Sequence, residues 1–194
     1  MRQTIGLGAV SGTALLLEIA LTRLLSTLYF PTYVFGVISV AILGIGLGAA
    51  LGVWKSWLRQ TSLLASYSAA AGLTAMAAVF YIVWVQAAPW HQALFVLVTI
   101  PYIFIGLIIT TIFSKRPERS GGLYLADLAG AGAGVLLAIP IMNAIGPLNT
   151  LLLAGGLFGV FGLIFTFRPA GLVVTVALVG LFVANMSQSW LTLD

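Results

Sequence analysis

The sequence predicts an all-α, polytopic integral membrane bundle of about seven transmembrane helices with a cytoplasmic N-terminus. Three observations predict it. Hydrophobic residues make up 61% of the 194 positions and charged residues 6%, whereas about a quarter of a soluble domain is charged, and the mean hydropathy is +1.17. Apolar runs of about 20 residues, the length that crosses a hydrocarbon core of about 30 Å, recur along the whole chain. These runs are continuously apolar, where the strands of a membrane barrel would alternate.

The runs cover residues 5–26, 33–54, 63–85, 93–113, 123–145, 148–167 and 171–190. Only short polar or proline-bearing gaps separate them, so residues 1–194 are expected to form a single helical transmembrane domain. The first run follows Arg2 and could imitate a secretory signal. A signal core has about 7 to 15 apolar residues and ends at a small-x-small cleavage site. Leu24-Leu25-Ser26-Thr27-Leu28-Tyr29 supplies no such site, and the run is expected to stay as the first helix.

Orientation follows from the bases. Arg2, Lys55, Arg59, Lys115, Arg116, Arg119 and Arg168 fall at the N-terminus or in the gaps after the second, fourth and sixth runs, all on one side. The positive-inside rule places that side in the cytoplasm, and Asp194 outside. The expected location is the cell's inner (cytoplasmic) membrane, as a multi-pass protein with the lipid bilayer as its first partner. The excess of eight Lys and Arg over four Asp and Glu does not indicate nucleic acid, which needs bases gathered on one polar face. The opposite gaps carry aromatic anchors, Tyr29-Phe30-Pro31-Thr32-Tyr33 and Pro89-Trp90-His91-Gln92, with Trp190 near the end.

No cysteine is present, which excludes disulfides, thiol catalysis and thiolate metal sites. His91 stands alone beside an anchor and reads as a wetted surface residue. No catalytic residue, metal site or cofactor is expected, and a bound lipid is compatible with so apolar a chain.

The polar residues inside the runs are therefore informative, because a charge near mid-bilayer costs about 2.5–3.5 kcal/mol on insertion scales. Ser11, Leu15, Glu18, Thr22 and Ser26 share one helical face about 80° wide, with Gly8 at its border, while Arg23 lies about 140° round from Glu18. The two charges are not an i,i+4 pair, and each is expected to find a different partner. Asp127 sits only about 6 Å into the fifth run at 1.5 Å per residue, far shallower than Arg23. Its expected partner is a cytoplasmic-side base such as Arg119 or Lys55, or the backbone at the start of a neighbouring helix.

Small residues recur at helical spacing: Gly44, Gly48 and Gly52 with Ala41; Asp127, Ala131, Gly134 and Ala138 beside Gly130; and Gly155 with Gly159. Such faces let helix backbones approach closely in lipid. Pro101 and Pro140 free carbonyls that line a cavity or kink the helix. The glycine clusters 6–12 and 130–134 imitate phosphate-binding loops, but neither follows a strand and the spacing is not GxGxxG, so no nucleotide site is expected. The first and fifth runs both carry an early acid near small residues, without enough matching flank to define an inverted repeat.

Glu18-Ile19-Ala20-Leu21-Thr22-Arg23-Leu24-Leu25-Ser26, then Tyr33-Val34-Phe35-Gly36-Val37-Ile38-Ser39 and the small residues of 44–52, resembles the start of the membrane-embedded spermidine-synthase-like proteins. Tyr124-Leu125-Ala126-Asp127-Leu128-Ala129-Gly130-Ala131, with Gly132, Gly134, Pro140 and Gly146, is similar to a second block of that family. Together the blocks span roughly residues 11–146. The resemblance implies a helical membrane region preceding a soluble Rossmann-like transferase domain that holds the nucleotide-bearing substrate and the catalytic acid. The 194 residues contain no such domain, so they are not expected to perform aminopropyl transfer.

Three functions follow as expectations. The first is a non-catalytic membrane subunit or domain that packs through its small-residue faces with other membrane proteins, or with copies of itself, in a larger complex. The second is a transporter or permeation pathway for a small cationic, polyamine-like solute using Glu18. The third is a membrane anchor for a spermidine-synthase-like enzyme acting in trans.

Overall fold

Helix α1 (Arg2–Leu28) is the axis of the protein. Its leucines and small residues face inward around most of the circumference, with Leu7, Val10, Ala14, Leu17, Ala20, Leu21, Leu24 and Leu25 all buried. The computed structural model describes residues 2–29, 32–84, 91–166, 169–188 and 191. After α1 come α2 (Thr32–Trp54), α3 (Leu64–Trp84), α4 (His91–Lys115), α5 (Ser120–Phe165) and α6 (Pro169–Gln188). Short 3-10 turns occupy Ser56–Leu58, Thr61–Leu63 and Pro117–Arg119. All six α-helices are long and apolar enough to cross a membrane, and no strand forms among the described residues.

The stretch of 46 residues named α5 is two helices that meet at a break. At Gly146 the backbone turns to φ 80°, ψ 161°, a region open in practice to glycine alone. Pro147 enforces the break, because it has no N–H to give and disfavours helical geometry in the residue before it. Proline then suits the first turn of the helix that follows. The carbonyls released at the break are taken up locally: Asn149 Nδ2 donates to the Ile145 carbonyl at 2.9 Å and Thr150 Oγ1 to that of Gly146 at 2.7 Å. The two arms, 120–145 and 147–165, fold back on each other. Ala126 near the start of α5 lies against Gly8, and Phe165 at its end lies against Gly6, two residues away on α1.

The boundary between the fifth and sixth apolar runs thus falls on Gly146. Pro101 and Pro140 both remain inside helical segments.

Helix α1 packs chiefly on α5 and touches α2 and α4; α2 lies on α4; α3 lies between α4 and α5; α6 closes against α5 and α3. The core joins these through Tyr102, Ile105, Ile108 and Phe158. Outward positions are apolar too: Phe35, Ile42, Val53, Leu125, Leu136, Ile139, Val173 and Val176 are exposed. A surface belt of this kind is what a hydrocarbon solvent requires.

The connections bring the bases to one end. Gly162 lies against the Ala65 carbonyl and Gly52 against Thr110, and Tyr67 Oη donates to the Leu58 carbonyl at 2.9 Å. Arg2, Lys55, Arg59, Lys115, Arg116 and Arg119 therefore share an end, with the Lys55 ammonium 4.7 Å above the Trp54 ring. At the opposite end Tyr29 and Tyr33 stack at 5.2 Å and Tyr33 stacks on Phe95 at 5.7 Å. Of the remaining anchors and termini, Phe30, Pro31, Pro89, Trp90, Arg168, Trp190 and Asp194 lie outside the described residues, as does the side chain of His91.

Candidate functional site

The close approach of α1 and α5 follows from missing side chains. Gly8 and Gly12 of α1, four residues apart, meet Ala126, Gly130 and Gly134 of α5, also at intervals of four. A methyl group added at Gly8 would stand 2.7 Å from the Ala126 carbonyl oxygen, and one at Gly12 would stand 2.6 Å from that of Gly130. Reciprocally, Gly130 faces the Gly8 carbonyl and Gly134 that of Gly12. Nothing larger than glycine fits without separating the helices.

That approach decides the partner of Asp127. The Ser11 hydroxyl donates to its carboxylate across the seam; Ser11 is buried and Asp127 half-buried. The partner is thus a side chain of α1, neither a base such as Arg119 or Lys55 nor the backbone at a helix start. Both bases are exposed, and the glycine seam places a short hydroxyl within reach before a long side chain from the loops could enter. Depth also agrees, since Ser11 lies about 9 Å into the first run and Asp127 about 6 Å into the fifth.

Glu18, Thr22 and Arg23 are not brought together. Thr22 returns its hydroxyl to the Ile19 carbonyl at 2.8 Å. Arg23 is exposed near the end of α1 opposite the basic end. Glu18 is half-buried, and among the described residues it has no hydrogen-bond or ion-pair partner. Tyr102 of α4 is a second polar residue of the core that stands apart. Tyr102 is wholly buried, and among the described residues its hydroxyl finds no hydrogen-bond partner.

The other small-residue positions are all occupied inside the chain. Gly44 lies against Tyr102 and the Thr99 carbonyl, Gly48 against the Ile103 carbonyl, and Gly52 against Thr110; Gly106 answers from α4 against Ile45. Gly155 packs on Met76 and Gly72 of α3, and Gly159 on Thr175 of α6. Ser68 donates to the Phe158 carbonyl at 2.6 Å in the same contact. Sequence reasoning missed the answering glycines Gly8, Gly12, Gly72 and Gly106, although Gly8 and Gly12 are spaced like the stripes it did find.

It also missed two asparagines. Asn185 Nδ2 donates to Asn149 Oδ1 at 2.7 Å, and Asn185 Oδ1 accepts from the Leu191 backbone at 2.7 Å. The first bond fastens the end of α6 to α5 near its break, and the second holds the backbone that follows α6 to Asn185.

Alongside the glycine seam runs an open cleft of about 430 Å³, walled by Ile5, Ala9, Ala133, Leu137, Leu157 and Phe161. No group of three or more metal-ligating side chains gathers among the described residues. Comparison with protein families, with curated proteins and with solved structures finds no match for this chain.

Proposed function

We propose that this chain is an integral protein of the inner (cytoplasmic) membrane, crossing seven times with its N-terminus cytoplasmic. Its role is that of a non-catalytic subunit or domain that associates with another membrane protein or a second copy through α1. The observation that carries this reading is Glu18. A half-buried carboxyl near the middle of an apolar helix is costly in lipid, and the chain offers it no hydrogen-bond or ion-pair partner among the described residues. Around it Leu15, Ile19 and Thr22 are also left half-covered on the most enclosed helix of the bundle. A partner helix bearing a base or hydroxyl at this depth satisfies Glu18 and completes the cover.

The small-residue faces no longer motivate the association, because each meets a neighbour within the chain. The test is elution of the protein from mild detergent at native expression level. Glu18→Leu is expected to convert a larger species to a monomer. A wild-type chain that runs as a monomer, unaltered by the substitution, defeats the reading.

The Tyr102 hydroxyl, buried and without a hydrogen-bond partner among the described residues, favours a second reading, a pathway for a small cationic, polyamine-like solute drawn in by the Glu18 carboxylate. It predicts that Glu18→Gln abolishes cation flux in proteoliposomes, and equal flux from the variant rules it out. The two sequence blocks similar to spermidine-synthase-like membrane regions support a related form of the first reading, in which the associated protein carries an enzyme domain in trans.

A further inference from the structure

We infer that the cleft between α1 and the two arms of α5 binds one acyl chain of an anionic phospholipid, with its phosphate held by Arg2 and Arg119 at the basic end. The inference rests on the membrane reading above. At about 430 Å³ the cleft falls within the usual size of ligand pockets, about 300–1,000 Å³. Its lining carries only two polar side chains, Thr4 and Thr13, and the Thr13 hydroxyl is already spent on the Ala9 carbonyl at 2.8 Å.

The cleft exists because of the glycine seam beside it. Where Gly8, Gly12, Gly130 and Gly134 bring two backbones together, the flanking Ile5, Ala9, Ala133 and Leu137 cannot close over the crossing. Ile5, Ala133 and Leu137 on its walls are exposed, and in the membrane reading these apolar edges meet lipid, the source of the occupant.

Shape and charge select the occupant. Along α1 the lining runs from Thr4 to Leu16, about 18 Å at 1.5 Å per residue, close to the roughly 15 Å depth of one leaflet. Arg2 lies just beyond Thr4, and Arg119 lies two turns before Ala126, which faces Gly8; both are exposed. Arg116 adds a third base, and Glu118 is the one acid in that turn. Two arginines at the basic end of the helices that wall an apolar slot match a phosphate headgroup above its acyl chain. A second copy of the chain would bring an identical basic rim against this one, which disfavours it as the occupant.

The experiment uses the full chain in mild detergent, delipidated and then offered phosphatidylglycerol or phosphatidylcholine of the same acyl composition, with retained lipid read by native mass spectrometry. Phosphatidylglycerol is expected to be retained about thirtyfold more strongly, the scale set by two basic residues at about 1 kcal/mol each at a membrane surface. Arg2→Gln with Arg119→Gln should remove the preference. Ala133→Phe, at an exposed lining position, should reduce retention of both lipids. Equal retention of the two lipids by the wild type overturns the proposal, as does a protein dimer in place of bound lipid. If Ala133→Phe does not fold, the arginine pair decides. Release of the chain from membranes by alkaline carbonate would refute the membrane reading itself, whereas a retained chain without lipid preference refutes only the site.

Discussion

Ser11 and Asp127, 116 positions apart in the sequence, are joined by a hydrogen bond that crosses the seam where glycines bring α1 and α5 together. A hydrogen bond to a charged group contributes more than a neutral one, but membrane proteins recover part of any loss through alternative partners. Ser11→Ala is therefore expected to lower stability by about 1–2 kcal/mol, read as the thermal midpoint in detergent. A midpoint equal to that of the wild type would show that Asp127 is satisfied without the hydroxyl.

Two glycines of α2 give an internally controlled comparison. A methyl at Gly48 meets the Ile103 carbonyl, while a methyl at Gly46 meets nothing within 4 Å. Gly48→Ala should destabilise by about 1–3 kcal/mol through overpacking, and Gly46→Ala should be neutral or stabilising by up to about 1 kcal/mol through reduced backbone freedom. Urea or SDS titration of both variants checks the order, and reversed or equal effects would contradict the α2–α4 contact.

Gly146 should resist replacement for a conformational reason. No atom lies within 4 Å of a methyl placed there, so Gly146→Ala adds no clash, yet φ 80° costs a side chain about 1–3 kcal/mol. The variant is expected to lose that much stability. An unchanged midpoint would mean that the chain reverses by some other geometry.

Alkaline pH gives a further check, through Tyr29 at the end opposite the bases. Burial, and after it the neighbouring phenols of Tyr33 and Tyr81, hold the Tyr29 phenol above its ordinary range. The folded chain keeps this proton where the unfolded chain, with a phenol value of about 10, has lost it. The contribution is therefore fully present below about pH 10 and is lost as pH rises through the folded value. Tyr29→Phe should flatten the alkaline fall in the thermal midpoint, and superposable wild-type and variant profiles would count against it.

Much of the bundle was legible because hydropathy is a property of each segment alone. Glu18 and Arg23 could be separated from helical geometry, and the end of the run at residue 145 anticipates Gly146. The glycine stripes could be located but not paired, since a small-residue face is complementary to any other of its kind. Asp127 was misassigned because loop bases were given reach without allowance for the seam that encloses the carboxylate. Tyr102 was not singled out, because its unmet hydroxyl exists only once α1, α2 and α4 have closed round it.

The seam also sets a timetable. Helix α1 is made before α5, and the partner that covers Gly8, Ser11 and Gly12 emerges more than a hundred residues later. At about 5–20 residues per second of synthesis, that interval is roughly 6–23 s. During it the first helix must wait in the bilayer with its serine and its glycine groove uncovered, exposed to any other small-residue helix nearby. Misassembly is thus expected to begin at α1.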